Sequence, residues 1–309
     1  MRQMSPVFAA ALALTLVATP LAAQEAPLYA TPQDALDALL PGLAAGDPAA
    51  IGAALGPGAE ALVEVSDGEI DTGALEALYA DWREGYRFVP QEDGSVVIEL
   101  GADDWPFPVP LARSEAGWSF DIEAGVVEIA AREIGRNELD VLELMETYLE
   151  IQREFRQTDH DGDGVMEFAS SIISPPGMRS GLYWVGPDSP AGDRTARASL
   201  DGFLAPDATE AEHEPYFGYY YRILTGQGEN APGGAMSYMA GDNMVAGHAL
   251  LAVPADYGES GINSFLINEA GIIWQADLGE ETLDIAFEIE TLDPDPAAGW
   301  ARLDELPGG

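Results

Sequence analysis

Asp159, Asp161 and Asp163 stand at alternate positions, Gly164 follows, and Glu167 comes three residues after that glycine. Side chains at this spacing can close around one hard cation and offer it oxygen alone, which is calcium chemistry rather than zinc or redox chemistry. With Asp159 as position 1, the aspartates fall at 1, 3 and 5, the Val165 carbonyl at 7 and Glu167 at 9. Three neighbouring carboxylates repel one another unless a cation sits among them or water screens them. The metal-ligating set read from the sequence is therefore Asp159, Asp161, Asp163, Val165 and Glu167, and calcium is the one cofactor it implies. The competing reading is a solvated turn whose aspartates accept hydrogen bonds from their own backbone.

An EF-hand loop carries a bidentate Glu at position 12 and leads into a helix; here position 12 is Ser170 and the sequel is β-rich. The expected affinity is that of extracellular calcium modules, about 10⁻⁴–10⁻³ M. Other site chemistry is thin. Cysteine is absent, which removes disulfides and thiol nucleophiles. His160, His213 and His248 lack the spacing of a zinc pair; His160 reads as a solvated loop residue and His248 as a packed strand residue. Gly258-Glu259-Ser260-Gly261 falls one residue short of a nucleophile elbow and reads as a turn. With 54 acids, chance carboxylate pairs are inevitable, so no catalytic residue is assigned.

Aromatic residues cluster at Tyr216, Phe217 and Tyr219–Tyr221, joined by Tyr183, Trp184 and Trp274. Tyr219 and Tyr221 share one face of a strand. Tyr183, Trp184, Tyr219 and Tyr221 are the candidate contacts for an envelope protein or a glycan, and core packing is the competing reading. The glycine-rich stretch 226–235 reads as a contact loop or a mobile connection.

Charge narrows the partners. The chain has 13 arginines, no lysine and a net charge of −41. No basic stripe exists to replace the counterions of a nucleic acid, anionic membrane surfaces repel the chain, and Schiff-base or P-loop lysine chemistry has no residue to use. Arg2, the apolar run Val7–Ala18 and Leu21-Ala22-Ala23 form a secretory signal pattern, with cleavage expected after Ala23. Periplasmic or secreted placement follows, with no membrane span in the mature chain.

The elements that must position the acidic loop fall into an α+β pattern. Helix starts at Thr31-Pro32 and Asp47-Pro48 and a third helix over 72–84 precede short strands over 95–100, 105–111 and 118–120. The first helix is expected to stop near Pro41-Gly42. A helical connector over 126–136 leads to a long helix capped by Asn137. Strands are expected over 219–225, 244–253, 262–268 and 272–276, the last two joined by a hairpin at Asn268–Gly271, with a helix near 280–291. The expected organisation is a signal peptide at 1–23, an N-terminal α+β domain at 24–125, the connector, a second α+β domain at 137–292 and a loose tail at 293–309.

Three resemblances rest on these residues. Helices followed by a curved sheet ending in LARSEAGWSFD are similar to the NTF2-like fold. A long helix, a variable loop, then YYYRILTG and GHALLAVPADYGESGINSFLINEAGIIWQADLG resemble the soluble heads of type IV pilins and pseudopilins, although a whole domain precedes this helix. The ordered phrases GADDWPFPVPLARSEAGWSFD, IGRNEL, DHDGDGVMEFA, PPGMRSGLYW, PYFGYYYRILTGQG and VPADYGESGINSFLINEAGIIWQADLG, over about 30–292, resemble the secreted bacterial family catalogued as domain of unknown function 2950. That resemblance implies export to a Gram-negative envelope and carries no activity. The functional expectation is a non-catalytic binding or interaction module with a calcium-stabilised loop. The alternative is a periplasmic hydrolase using carboxylates or a composite metal site, with Asp103, Asp104 or Arg113 near the mouth of an open cone.

Overall fold

The computed structural model describes residues 26–64, 72–186, 188–191, 197–200 and 214–303. The signal pattern at 1–23, His213 and the last six residues of the tail lie outside them. The chain divides into two compact units, Met1–Gly125 and Val126–Gly309, and the fold is α+β in class.

In the first unit, helix α1 (Pro32–Ala45) begins with a full capping box between Thr31 and Asp34. It runs through Pro41, where the sequence suggests a stop, and ends at Gly46 in the left-handed region. Gly42 permits this path, because a Cβ there would strike Ile51 of helix α2 (Pro48–Leu55). Helices α3 (Glu60–Glu64) and α4 (Thr72–Glu84) follow. The sheet is antiparallel: strands β1 (Tyr86–Pro90), β2 (Val96–Leu100), β4 (Leu111–Arg113) and β5 (Trp118–Phe120) lie in that order, and β3 (Trp105–Pro106) also pairs with β2. The single strand expected over 105–111 is broken, since Pro106, Pro108 and Pro110 cannot donate to a ladder. Phe107 and Val109 between them are buried.

In the second unit the dominant helix is α5 (Ile122–Phe155), whose first turn belongs to the first unit. This corrects the expected connector and cap: 126–136 and 137–155 are one helix. The Asn137 side chain donates to the Ser260 carbonyl, and Glu138 accepts from the backbone N–H groups of Ile262 and Asn263. Both side chains serve a distant loop, so neither is left to start a helix.

Beyond the acidic loop come β6 (Ser171–Ile173) and β7 (Gly181–Tyr183), a parallel pair, and then β8 (Tyr219–Leu224). Two two-stranded pieces follow: β9 (Gly226–Gln227) pairs with β10 (Met236–Ser237), and β11 (Met239–Ala240) with β12 (Asn243–Met244). The main sheet is β8, β13 (Ala249–Pro254), β14 (Asn263–Asn268), β15 (Ile273–Asp277) and β16 (Ala301–Arg302), all antiparallel. Helix α6 (Thr282–Glu288) precedes β16. Every residue of β8 and β13 is buried, and the apolar stripe Val141, Leu142, Met145, Tyr148, Leu149 and Phe155 of α5 shares their core. Gly261 packs against Tyr219, where any Cβ would collide with the hydroxyl end of the tyrosine side chain. The segment 293–303 is not loose: Trp300 is buried, β16 pairs with β15, and the Leu303 N–H donates to the Ile273 carbonyl.

Candidate cation site

Helix α5 ends at Phe155, and the chain turns into the acidic loop through Asx turns. Asp159 accepts the N–H of Gly162 at 2.7 Å on one oxygen and that of Gly164 at 2.9 Å on the other. Asp161 accepts from Asp163 N–H at 3.1 Å, and Asp163 from Val165 N–H at 2.7 Å. Gly162 and Gly164 hold φ of 83° and 89°, a backbone that brings the three carboxylates to one side. The N–H groups of Gly162 and Gly164 hold the Asp159 carboxyl below the usual carboxylate range.

One oxygen from each of Asp159, Asp161 and Asp163 lies within 4.8 Å of the others. An ion with bonds of about 2.3–2.6 Å spans roughly 5 Å between opposite ligands, so this spacing fits one calcium. Among the described residues no other three carboxylates or imidazoles are so arranged. The Val165 carbonyl accepts no hydrogen bond among the described residues and is free to ligate.

Glu167 is not in that group of carboxylates, although the charges of all three aspartates act on it. It is only 5% exposed, and one carboxylate oxygen accepts the Met244 N–H at 3.3 Å. Its pKa is raised by burial first and then by the charge of Asp161, with Asp163 and Asp159 adding and the Met244 N–H opposing. Its position is enforced on both sides. The Phe168 N–H donates to the Met244 carbonyl at 2.8 Å. The fully buried Gln152 of α5 clamps Ala169 with both ends of its amide, donating to the carbonyl at 3.0 Å and accepting the N–H at 2.9 Å. Ser170 is turned away: its N–H and hydroxyl both donate to the Ser180 carbonyl.

His160 is a correction. Its ring lies 4.2 Å from that of Phe155 and 5.5 Å from that of Trp184, with Nε2 3.2 Å from the Phe155 carbonyl oxygen, so it packs inward. His248 is packed as expected, 1% exposed, with Nδ1 3.1 Å from the Tyr148 hydroxyl. Desolvation, with Arg153 and Arg156 adding, lowers its pKa to about 4.

The aromatic contact candidates are also corrected. Tyr219 and Tyr221 are 0% and 1% exposed, and their hydroxyls donate to the carbonyls of Asn263 and Tyr216. Trp184 is buried beneath Arg179 and His160, which leaves Tyr183 half-buried as the remaining ring. Both faces of β8 are covered, a fact that alternation along one strand does not reveal. The glycine-rich loop is latched, since Asp293 accepts the backbone and side-chain N–H groups of Asn230 and the Gln227 amide donates to Pro232 and Gly234. Ser260 exchanges hydrogen bonds with the Asp256 backbone, which is turn chemistry as read. In the first unit Asp104 pairs with Arg87, and Arg113 lies over Trp118.

Sequence reasoning missed Asn243. Its side-chain amide donates to the second oxygen of Asp163 at 2.6 Å, from 80 residues along the chain, and no local pattern announces it. A family whose members are described as Protein of unknown function (DUF2950) matches residues 26–303. No curated protein matches the chain, and no solved structure matches it.

Proposed function

The chain belongs to the family of Protein of unknown function (DUF2950), and from that premise and the loop geometry we propose that it is an exported envelope module whose acidic loop takes one calcium ion. The ion stiffens the junction between α5 and the β-rich half of the second unit, which then meets a protein or glycan partner without catalysing a reaction. The observation that carries this reading is the convergence of Asp159, Asp161 and Asp163 within one ion's reach. Three carboxylates so placed gain from a divalent cation what they lose by mutual repulsion. Export is supported by the secretory pattern at 1–23, and among the described residues no helix is long and apolar enough to cross a membrane.

The test is a calorimetric titration of chelator-stripped protein lacking residues 1–23 with calcium chloride. Binding with Kd of about 10⁻⁴–10⁻³ M is expected, with loss of the signal in Asp161→Ala. Absence of heat at millimolar calcium refutes the reading.

A further inference from the structure

His248, just before β13, stands where α5 and the exit of the acidic loop meet the main sheet. It is 1% exposed. Tyr148 of α5 meets its ring edge-on at 5.2 Å, and Phe168 does so at 4.6 Å. Nδ1 lies 3.1 Å from the Tyr148 hydroxyl, which accepts from Gln152 Nε2 at 3.1 Å. The same Gln152 amide clamps Ala169, and the Phe168 N–H donates to the Met244 carbonyl. One unbroken chain of contacts therefore runs from the imidazole to residues 168 and 169, the strip that leads from the acidic loop into the sheet.

The surroundings of the ring favour its neutral form. The charged groups that act on it are Arg153 and Arg156, both cations, and the Arg156 guanidinium lies 4.5 Å from the Phe168 ring centre. The neighbouring carboxylates serve other groups. Glu167 accepts the Met244 N–H, and Glu269, whose charge acts on Tyr148 and Tyr238, stands with Tyr238 beside Gly247. A proton on the imidazole adds a third positive charge in a cage that water does not reach, and the charged ring is relieved by leaving it.

We propose that His248 is an acid latch: the neutral ring holds the exit of the acidic loop against α5, and a proton on the ring opens that exit while the main sheet stays folded. The strip is the part that yields. It is held by one backbone bond to Met244, the Gln152 clamp and the Phe168 ring, whereas β13 is bonded to β8 on one side and to β14 on the other. The latch involves neither the three aspartates nor calcium. Burial lowers the His248 pKa from 6.5 to about 4, so the open form binds the proton first and opening grows as pH falls through that window. Between pH 7 and pH 5 the opening constant should rise about 20-fold. Glu167 pulls the other way: its pKa is raised, so it takes up a proton more readily in the closed form.

The experiment is hydrogen exchange of the chelator-stripped protein lacking residues 1–23, read by NMR between pH 7 and pH 5 with intrinsic exchange rates divided out. The amides of Phe168 and Ala169 should be less protected than those of β13 and β14, and should lose about 20-fold of their protection over this range. His248→Gln should abolish that loss, and His160→Gln, which changes the other described histidine, should keep it. Equal protection of the strip and the sheet overturns the proposal, because the ring is then exposed only by global unfolding. Protection that does not change with pH overturns it too. So does the same loss in His248→Gln, or an abolished loss in His160→Gln. The pH series of the parent and of His160→Gln decide the matter even where His248→Gln fails to fold.

Discussion

Replacing Arg222 with Met should loosen α6 from the main sheet. Arg222 is 6% exposed in β8, and its Nη1 lies 3.0, 3.3 and 3.2 Å from the carbonyl oxygens of Ala286, Phe287 and Ile289. These are the terminal carbonyls of α6, a helix with no basic residue in its own last turn. A guanidinium from the sheet therefore meets the negative end of the helix dipole. Hydrogen bonds to a charged group contribute about 1.5–3 kcal/mol each, but one nitrogen shared among three carbonyls does not triple that, and removing the buried charge returns part of its desolvation cost. Methionine keeps the apolar stem, so the net loss should be about 3 kcal/mol. For a unit of this size that lowers Tm by roughly 6–12 °C. Scanning calorimetry should show the transition of the second unit moving while that of the first stays. Arg222→Lys should recover about half, since a point donor reaches fewer carbonyls. A Met variant within about 0.5 kcal/mol of the parent would refute the capping argument.

Calcium at 10 mM should stabilise the second unit by about 1.4–2.7 kcal/mol, from the expected affinity and mass action; identical melting curves in chelator and calcium would contradict this. Glu167→Gln should gain less from calcium and be more stable than the parent in chelator at neutral pH. The folded pKa of Glu167 is raised, so its ionisation penalises the fold above that value and does nothing below the unfolded value near 4.5. The stability gap between variant and parent should therefore close as pH falls toward about 4.5, and a pH-independent gap in urea midpoints would sink the argument. His248 acts in the opposite sense. Its pKa falls from 6.5 to about 4 on folding, so the unfolded chain binds the proton first and stability drops as pH falls through that window. The full loss is about 3 kcal/mol, and His248→Gln should flatten this part of the urea-midpoint profile between pH 6.5 and pH 4.

The acidic loop was legible because its chemistry is local: alternate aspartates and a glycine specify both the Asx turns and the convergence of oxygens. The Asn268–Gly271 hairpin was legible for the same reason, its turn residues lying between two strands that pair in register. What failed depended on partners far along the chain. Asn137 and Glu138 look like a helix start, yet both are committed to residues 260–263. Alternation along 219–221 suggests one free face, but β8 is covered on both. His160 looks solvated among aspartates until Trp184 folds over it. Gln152, Arg222 and Asn243 carry no local mark at all, because their roles exist only once sheet, helix and hairpin are assembled.

The contact between Gly261 and Tyr219 also has an evolutionary side. The missing Cβ and the tyrosine ring claim the same space, so neither position can drift alone. A larger residue at 261 becomes tolerable only beside a smaller one at 219, and that smaller one would surrender the hydroxyl bond to Asn263. Substitutions at these two sites should appear as linked pairs among descendants of this sequence, with the intermediate genotypes missing.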